Sequence, residues 1–300
     1  MADLESREVL DEGNTKPARL AVIGCPIRHS ASPEMHQPAL DAANVDGRYI
    51  RLEVAPGQVG KAISRMRELG FRGCNITVPH KLEAMAFCDE IHPDAQIIGA
   101  VNTLVFSDQG TVGFNTDGPG FAAAVEEAFG IPLSNLSVAI VGAGGGAGQA
   151  IATQCILLGV ERLVLINRSP EKLLPMVKRL MQLGPESEII AIPLNEDAVA
   201  SHCKSCDLIV NTSSLGLHPG DRSILPPGCF KADHLVYDTI YKPAMSPLLV
   251  AAQAANCRIS NGLSMLIHQG ALAFQQWYPG TSPLPVMRFA MSQEAGFSAG

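Results

Sequence analysis

Val138-Ala139-Ile140-Val141-Gly142-Ala143-Gly144-Gly145-Gly146-Ala147-Gly148 is the stretch that decides the fold. The apolar residues Val138–Val141 have the length and composition of a buried strand, and a helical pattern runs from Gly146 to Leu158. Five glycines in the seven residues 142–148 would cost conformational entropy without a use. A use exists where the main chain must turn tightly and a pyrophosphate must approach it closely. The helix that follows then presents free N–H groups and the positive end of its dipole to the phosphates. The setting of strand, glycine loop and helix therefore predicts a Rossmann-type dinucleotide site. Ala147 stands where the third glycine of the usual fingerprint would fall, and Gly148 lies one residue further on.

The next informative position is the end of the second strand of that unit, Leu163–Ile166. An Asp or Glu there would bind the ribose 2′-hydroxyl of NAD. The chain instead reads Asn167-Arg168-Ser169, with Lys172 a turn later. These residues donate hydrogen bonds, and Arg168 and Lys172 add charge suited to a 2′-phosphate. NADP is expected rather than NAD, although Glu171 weakens the local positive field.

Short Val/Ile/Leu-rich runs alternate with longer helical patterns on both sides of this stretch, the grammar of βαβ units around a parallel sheet. Strands are expected at Leu20–Ile23, Tyr49–Val54, Cys74–Val78 and Ala100–Phe106, and helices at 33–45, 59–69, 82–91 and 118–129. A second series begins at Ser137. Its strands are Val138–Val141, Leu163–Ile166, Ile189–Ile192, Leu208–Val210 and Leu235–Tyr237, and its helices cover 146–158, 171–183, 248–255 and 264–277. Periodicity alone leaves open which half the final helices join.

The chain is 300 residues long, 47% hydrophobic and 17% charged, with a formal net charge of −7. That suits two modest α/β cores and argues against a nucleic-acid binder, which would carry a clustered basic face. No apolar run approaches the ~18 residues that span a bilayer, and the polar N-terminus has no signal-peptide pattern. The eight cysteines follow no framework spacing, so reduced thiols in a cytoplasmic protein are expected. Cys203-Lys204-Ser205-Cys206 could be half a zinc site or a redox pair, but no second ligand pair follows. A helix end running into a strand accounts for it, and no metal is expected.

The first half supplies polar residues where a strand–helix connection needs none. Gly24-Cys25-Pro26-Ile27-Arg28-His29-Ser30-Ala31-Ser32-Pro33 places Ser30 and Ser32 at the carboxyl end of a strand, where α/β sheets bind ligands. Ser32 could equally cap the helix that starts at Pro33. In Asn75-Ile76-Thr77-Val78-Pro79-His80-Lys81 the lysine could act as acid or base at the mouth of a cleft. Taken alone it reads equally as a solvated residue at a helix start. Asp117, in Asn115-Thr116-Asp117-Gly118, taken alone reads as a helix cap.

Together these segments resemble the shikimate dehydrogenase family. Gly24 to Pro33, Asn75 to Lys81, Gly99-Ala100-Val101-Asn102-Thr103 and Asn115 to Gly120 follow its patterns in order. So do Asn211-Thr212-Ser213-Ser214-Leu215-Gly216, Asp238-Thr239-Ile240-Tyr241-Lys242-Pro243 and the stretch from Asn261 to Gln269. The similarity runs from about Leu20 to Trp277. The glycine loop departs from it, with what looks like one glycine more than the family's usual Gly-Ala-Gly-Gly-Ala.

The resemblance implies an N-terminal α/β substrate-binding domain, 20–117 plus 262–300, and a C-terminal Rossmann domain, 118–261, with the last helices returning to the first. Residues 1–19 are expected to be a disordered extension. It implies reversible, NADPH-dependent reduction of 3-dehydroshikimate to shikimate, a step toward chorismate and the aromatic amino acids. Lys81 and Asp117 would be the catalytic pair, and Ser30, Ser32, Thr77, Asn102, Tyr241 and Gln269 would hold the substrate. The nucleotide would lie among Gly142, Ala143, Gly144, Gly145, Gly146, Asn167, Arg168, Ser169, Lys172, Thr212, Thr239 and Gly262. The partners expected are this small molecule and, at most, a second copy of the chain in a homodimer, with no nucleic acid and no membrane. The alternatives are a quinate/shikimate dehydrogenase using NAD or NADP, and a non-catalytic NADP-sensing regulator.

Overall fold

The computed structural model describes residues 6–294, which fall into two compact units. One takes the chain up to Thr116 and again from Ile267, and the other takes Asp117–Leu266.

In chain order the first unit holds α1 (Arg7–Asp11), β1 (Ala18–Gly24), α2 (Ser32–Ala42), β2 (Arg48–Glu53), α3 (Val59–Glu68) and β3 (Gly73–Ile76). Then come β4 (Glu90–Ile91), α4 (Pro93–Ile98), β5 (Thr103–Ser107) and β6 (Gly110–Phe114). Its six-stranded sheet runs β2-β1-β3-β5-β6-β4. β1, β2 and β3 are parallel, and β5 and β6 form an antiparallel hairpin beside β3.

The second unit holds α5 (Asp117–Phe129), β7 (Val138–Val141), α6 (Gly146–Leu157), β8 (Arg162–Asn167), α7 (Leu174–Leu183) and β9 (Glu188–Pro193). α8 (Glu196–Lys204), β10 (Leu208–Asn211), β11 (Leu235–Asp238), α9 (Pro247–Ala254) and β12 (Arg258–Asn261) complete it. The sheet order is β12-β11-β10-β7-β8-β9, all parallel. β7, the first strand, sits at the centre, and the order reverses there. Such a sheet binds ligands outside the carboxyl ends of its strands at that switch point. The strands are apolar on both faces because both are covered. Val138 and Ile140 pack into the core shared with Phe121, Ile151 and Leu180, while Ala139 and Val141 pack into the core shared with Val199 and Leu248.

α10 (Leu263–Trp277) and α11 (Leu284–Glu294) carry the chain back into the first unit. The Trp277 indole N–H donates to the Leu104 carbonyl of β5 at 2.8 Å. α11 packs against α2. The centre of this core is aromatic. His36 of α2 stacks on Tyr49 with ring centroids 4.4 Å apart and planes 4° from parallel, and the Trp277 ring meets its edge at 5.5 Å. His36 is 0% exposed and neither ring nitrogen has a hydrogen-bond partner.

Several local expectations change. The polar leader is structured from Ser6 onward: Ser6 caps α1, and the Asp11 carboxylate accepts from Arg48 Nη2 and from the Ala18 N–H, both at 2.8 Å. The anchor comes from a neighbouring strand, so local composition could not reveal it. Residues 1–5 lie outside the described residues. The helix expected over 82–91 is a 3-10 turn, Glu83–Phe87, followed by the short β4. β6, β12, α4 and α11 were not foreseen, because Gly113 and the brevity of Arg258–Asn261 and Pro93–Ile98 weaken any periodic signal. Cys203 lies in the last turn of α8 and Cys206 shortly before β10, both buried and unbridged, as a helix end running into a strand. No disulfide forms among the eight cysteines, and no group of His, Cys, Asp or Glu among the described residues could hold a metal. No helix among them is long and apolar enough to cross a membrane.

Burial holds the His36 imidazole neutral, its pKa lowered from 6.5 to about 3. The unfolded chain takes up a proton below about pH 6.5 that the folded chain refuses, so this group subtracts stability as pH falls from about 6.5 toward 3. The slope is about 1.4 kcal/mol per pH unit. Denaturant unfolding of the wild type and of His36→Phe across pH 4–7 checks this. The variant's stability should fall less steeply with acid by about that slope, and parallel curves would refute the assignment.

Candidate functional site

Each unit brings its polar residues to the carboxyl ends of its strands. In the first unit Ser30 and Ser32 follow β1. The Ser30 hydroxyl donates to Ser32 Oγ at 3.1 Å and Arg51 Nε donates to the Ser30 carbonyl at 2.8 Å, while Glu34 pairs with the same guanidinium. Ser32 is the first residue of α2, with Ala31 at the cap position and no side-chain cap hydrogen bond, so Ser32 does not cap the helix as the sequence alone allowed. Thr77 follows β3, its N–H held by the Ile23 carbonyl at 2.9 Å. Lys81 lies four residues on, its carbonyl accepting from the Val101 N–H at 3.0 Å.

Asn102 is the hub. It is 2% exposed. Its Nδ2 donates to Thr116 Oγ1 at 2.9 Å and to Gln269 Oε1 at 3.4 Å, and its Oδ1 accepts from the Thr116 N–H and the Thr103 hydroxyl, both at 2.9 Å. Beneath it, Asn75 Nδ2 donates to the Asn102 carbonyl and to Thr103 Oγ1, both at 3.1 Å, and Asn75 Oδ1 accepts from the Tyr49 hydroxyl at 2.7 Å. Thr116 is thereby fixed, and Asp117 follows it as the first residue of α5, where a helix dipole favours a carboxylate. The structure thus brings Asn102 and Gln269 into direct contact. Asn75, Thr103 and Thr116 stand within the sequence motifs with no role of their own there, and Tyr49 stands outside them. A polar residue in an otherwise apolar strand, as Asn75 is in β3, was the available signal.

In the second unit a cleft of about 500 Å³ opens at the switch point, lined by Gly142, Gly145, Asn167, Arg168, Thr212 and Ser213 among others. Gly142 has φ +82°, and a Cβ on it would sit 2.9 Å from the Ser213 nitrogen. α6 starts at Gly146, so its first N–H groups face this loop. A Cβ on Gly148 would lie 2.7 Å from Ala143 Cα, so Gly148, not Ala147, supplies the close packing of helix on loop. The loop therefore keeps the shape of a phosphate cradle despite its additional glycine. Gly144 lies beside Asn167, whose Nδ2 donates to the Ser169 carbonyl at 3.2 Å. Thr212 Oγ1 donates to the Val141 carbonyl at 2.9 Å.

Other predicted nucleotide residues stand apart from the cleft lining. Ala143 is buried in the core. Lys172 sits in the 3-10 turn Pro170–Leu173 beyond Arg168. Gly262 and Thr239 form one tight contact, in which a Cβ on Gly262 would lie 2.0 Å from the Thr239 carbonyl oxygen. Tyr241 follows that turn, three residues beyond β11. His218 and Asp221 also line the cleft, and sequence reasoning passed over them. Asp221 Oδ2 accepts from the Gly216 and His218 N–H groups at 2.9 and 3.0 Å, closing the loop after β10, and these bonds hold its carboxyl below the usual range.

The cradle, the helix start and the exposed guanidinium of Arg168 fit a dinucleotide phosphate chain. Comparison with known proteins agrees. Residues 22–104 match the family profile of the shikimate dehydrogenase substrate binding domain, and residues 262–288 that of the shikimate 5′-dehydrogenase C-terminal domain. A shikimate dehydrogenase (NADP(+)) of Moorella thermoacetica is 38% identical over 282 residues, covering 94% of this chain and 95% of its own. The crystal structure of shikimate 5-dehydrogenase from Thermus thermophilus in complex with NADP(H) and shikimate has a TM-score of 0.81 and 34% identity, covering 93% of this chain and 99% of that one. Quinate dehydrogenase from Corynebacterium glutamicum in complex with NAD has a TM-score of 0.83 and 29% identity, covering 92% of this chain and 99% of that one. On fold, motif order and this extent of identity, the chain belongs to the shikimate dehydrogenase family.

Proposed function

We propose that this chain is an NADP-dependent shikimate dehydrogenase that reduces 3-dehydroshikimate to shikimate and runs the reaction in reverse. The observation that carries this reading is the Asn102 lattice, a buried set of directional donors and acceptors reaching Gln269 on one side and Thr116 on the other. A substrate with several hydroxyls and a carboxylate needs such a set, because each unmatched polar group costs binding energy.

Ser30, Ser32, Thr77, Asn102, Tyr241 and Gln269 hold the carboxylate and the hydroxyls in this reading. The glycine loop, Asn167, Arg168 and Thr212 hold the nucleotide, with Ser169 and Lys172 beside Arg168. The chemistry supplied by the bound nicotinamide is hydride transfer to and from the substrate carbon. The protein's own task is the proton. Lys81 and Asp117 form the ammonium–carboxylate pair that holds the reacting oxygen. In reduction they deliver one proton to it as the carbonyl becomes an alcohol, and in oxidation they remove that proton. A binding-only sensor would need neither group, which favours an enzyme over a regulator.

Two outcomes test these assignments. Lys81→Ala and Asp117→Ala should each lower kcat by about 10²–10⁴-fold, typical of acid–base groups, while NADPH titration shows largely retained binding. Unchanged turnover in either would remove that residue from the mechanism. Arg168→Ala should raise KM for NADP by about 10–100-fold, as expected for a charge-assisted contact, with a much smaller effect on NAD. Equal losses with both cofactors would show that Arg168 does not read the 2′-phosphate. Steady-state rates of the wild type on shikimate and quinate, each with NADP and NAD, decide the substrate, and no shikimate-dependent turnover with either cofactor would sink the reading.

A further inference from the structure

Asp238 ends β11 and is 0% exposed, and the mechanism above gives it no task. No Lys, Arg or His lies in ion-pair contact with it among the described residues. A buried carboxylate without a cation has to be held by hydrogen bonds, or it is too costly to keep. Three donors meet it. Asn211 Nδ2 reaches Oδ1 at 3.0 Å, the Ile240 N–H reaches Oδ1 at 3.0 Å, and the Ser246 hydroxyl reaches Oδ2 at 2.5 Å.

Each of these groups is committed to donating. Asn211 presents its amide N–H because its Oδ1 already accepts from the Ser213 N–H at 3.0 Å and the Ser213 hydroxyl at 2.7 Å. Ser246 Oγ accepts from the Leu249 N–H at 3.3 Å as the cap of α9, so its hydrogen goes to Asp238. A backbone N–H can only donate. Burial pushes the Asp238 carboxyl up, and the bonds from Ser246, Ile240 and Asn211 oppose that by favouring the charged form.

One far end of this network lies at the nucleotide cleft and the other in the turn after β11. Ser213 lines the cleft and packs directly on Gly142. The Ile240 N–H lies in the turn after β11, whose Thr239 carbonyl is the close neighbour of Gly262. Gly216, further along the loop after β10, lies against Ile240 and Pro247. One buried group therefore ties together the loop after β10, the turn after β11 and the start of α9.

We infer that Asp238 is a positioning residue for the nucleotide cleft, setting through Asn211 the place of Ser213 opposite the glycine loop, and through Ile240 the turn that carries Thr239 and Tyr241. It touches no ligand itself. The inference rests on the NADP reading above.

Fluorescence titration of the full chain with NADPH, without turnover, tests it, with thermal unfolding measured in parallel. Asp238→Ala and Asn211→Ala should each raise the NADPH Kd by about tenfold or more, the size of effect expected when a committed buried donor or acceptor loses its partner. Asp238→Asn keeps an oxygen for Asn211 and Ile240 and should rescue most of the loss, leaving Kd within about threefold of wild type. Val160→Ala opens the core of the same unit away from the cleft. It should lower the unfolding temperature with Kd unchanged. Should Asp238→Ala fail to fold, Asn211→Ala reads the same contact. Wild-type affinity in Asn211→Ala, or an equal rise in Kd for Val160→Ala, would overturn the inference, since either would leave Asp238 a matter of stability alone. A wild-type chain that binds no NADPH overturns the cofactor reading and this inference together. Normal wild-type binding with unaffected variants overturns this inference alone.

Discussion

Asn102 cannot be buried unless all its polar atoms are matched, and much of the first unit's functional end follows from that demand. A primary amide presents two donor hydrogens and an oxygen with two lone pairs, and leaving one unmatched in a core costs about 1–3 kcal/mol. Thr103, its neighbour at the start of β5, Thr116 in the loop after β6 and Gln269 of α10, far along the chain, answer it. The same bonds that satisfy Asn102 therefore fix the residue before Asp117 and bring α10 home to the sheet. Tyr49 and Asn75 extend the lattice downward. His36, stacked on Tyr49 without a hydrogen bond of its own, acts there as a flat aromatic filler.

The glycine loop, the parallel strands and the polar turn at Asn167–Ser169 beside that loop were legible in the sequence because each is a local arrangement. A strand with both faces covered is a continuous apolar run, and a phosphate cradle is a run of glycines. Ser30, Ser32, Lys81, Asn102 and Asp117 were legible only as members of ordered motifs, since each taken alone has a bland structural use. What could not be read was long-range. The anchoring of the N-terminal segment by Arg48, the contact of Gln269 with Asn102 and the Asn211 donor to Asp238 join residues far apart in the chain. The question of which small residue completes the glycine fingerprint is likewise a matter of packing. The space above Ala143 closes on Gly148, and no residue count along the loop expresses that.

The two units meet the same demand with different chemistry. In the first, the buried hub is a neutral amide, and its neighbours include both donors and acceptors, so an asparagine fits. In the second, all three groups around position 238 are donors: a backbone N–H, an amide N–H already oriented by Ser213, and a capping hydroxyl whose oxygen is occupied. An asparagine there would keep an oxygen for Asn211 and Ile240 and lose only the acceptor for the Ser246 hydroxyl. A carboxylate accepts from all three with no internal conflict. Its charge also lies near the start of α9, where the helix dipole is favourable. The acid at the end of β11 is thus set by the count of donors around it. Because those donors belong to the segments that carry Ser213, Thr239 and the first turn of α9, the charge that the core has to accommodate is also what holds the loops at the nucleotide end of the sheet in register.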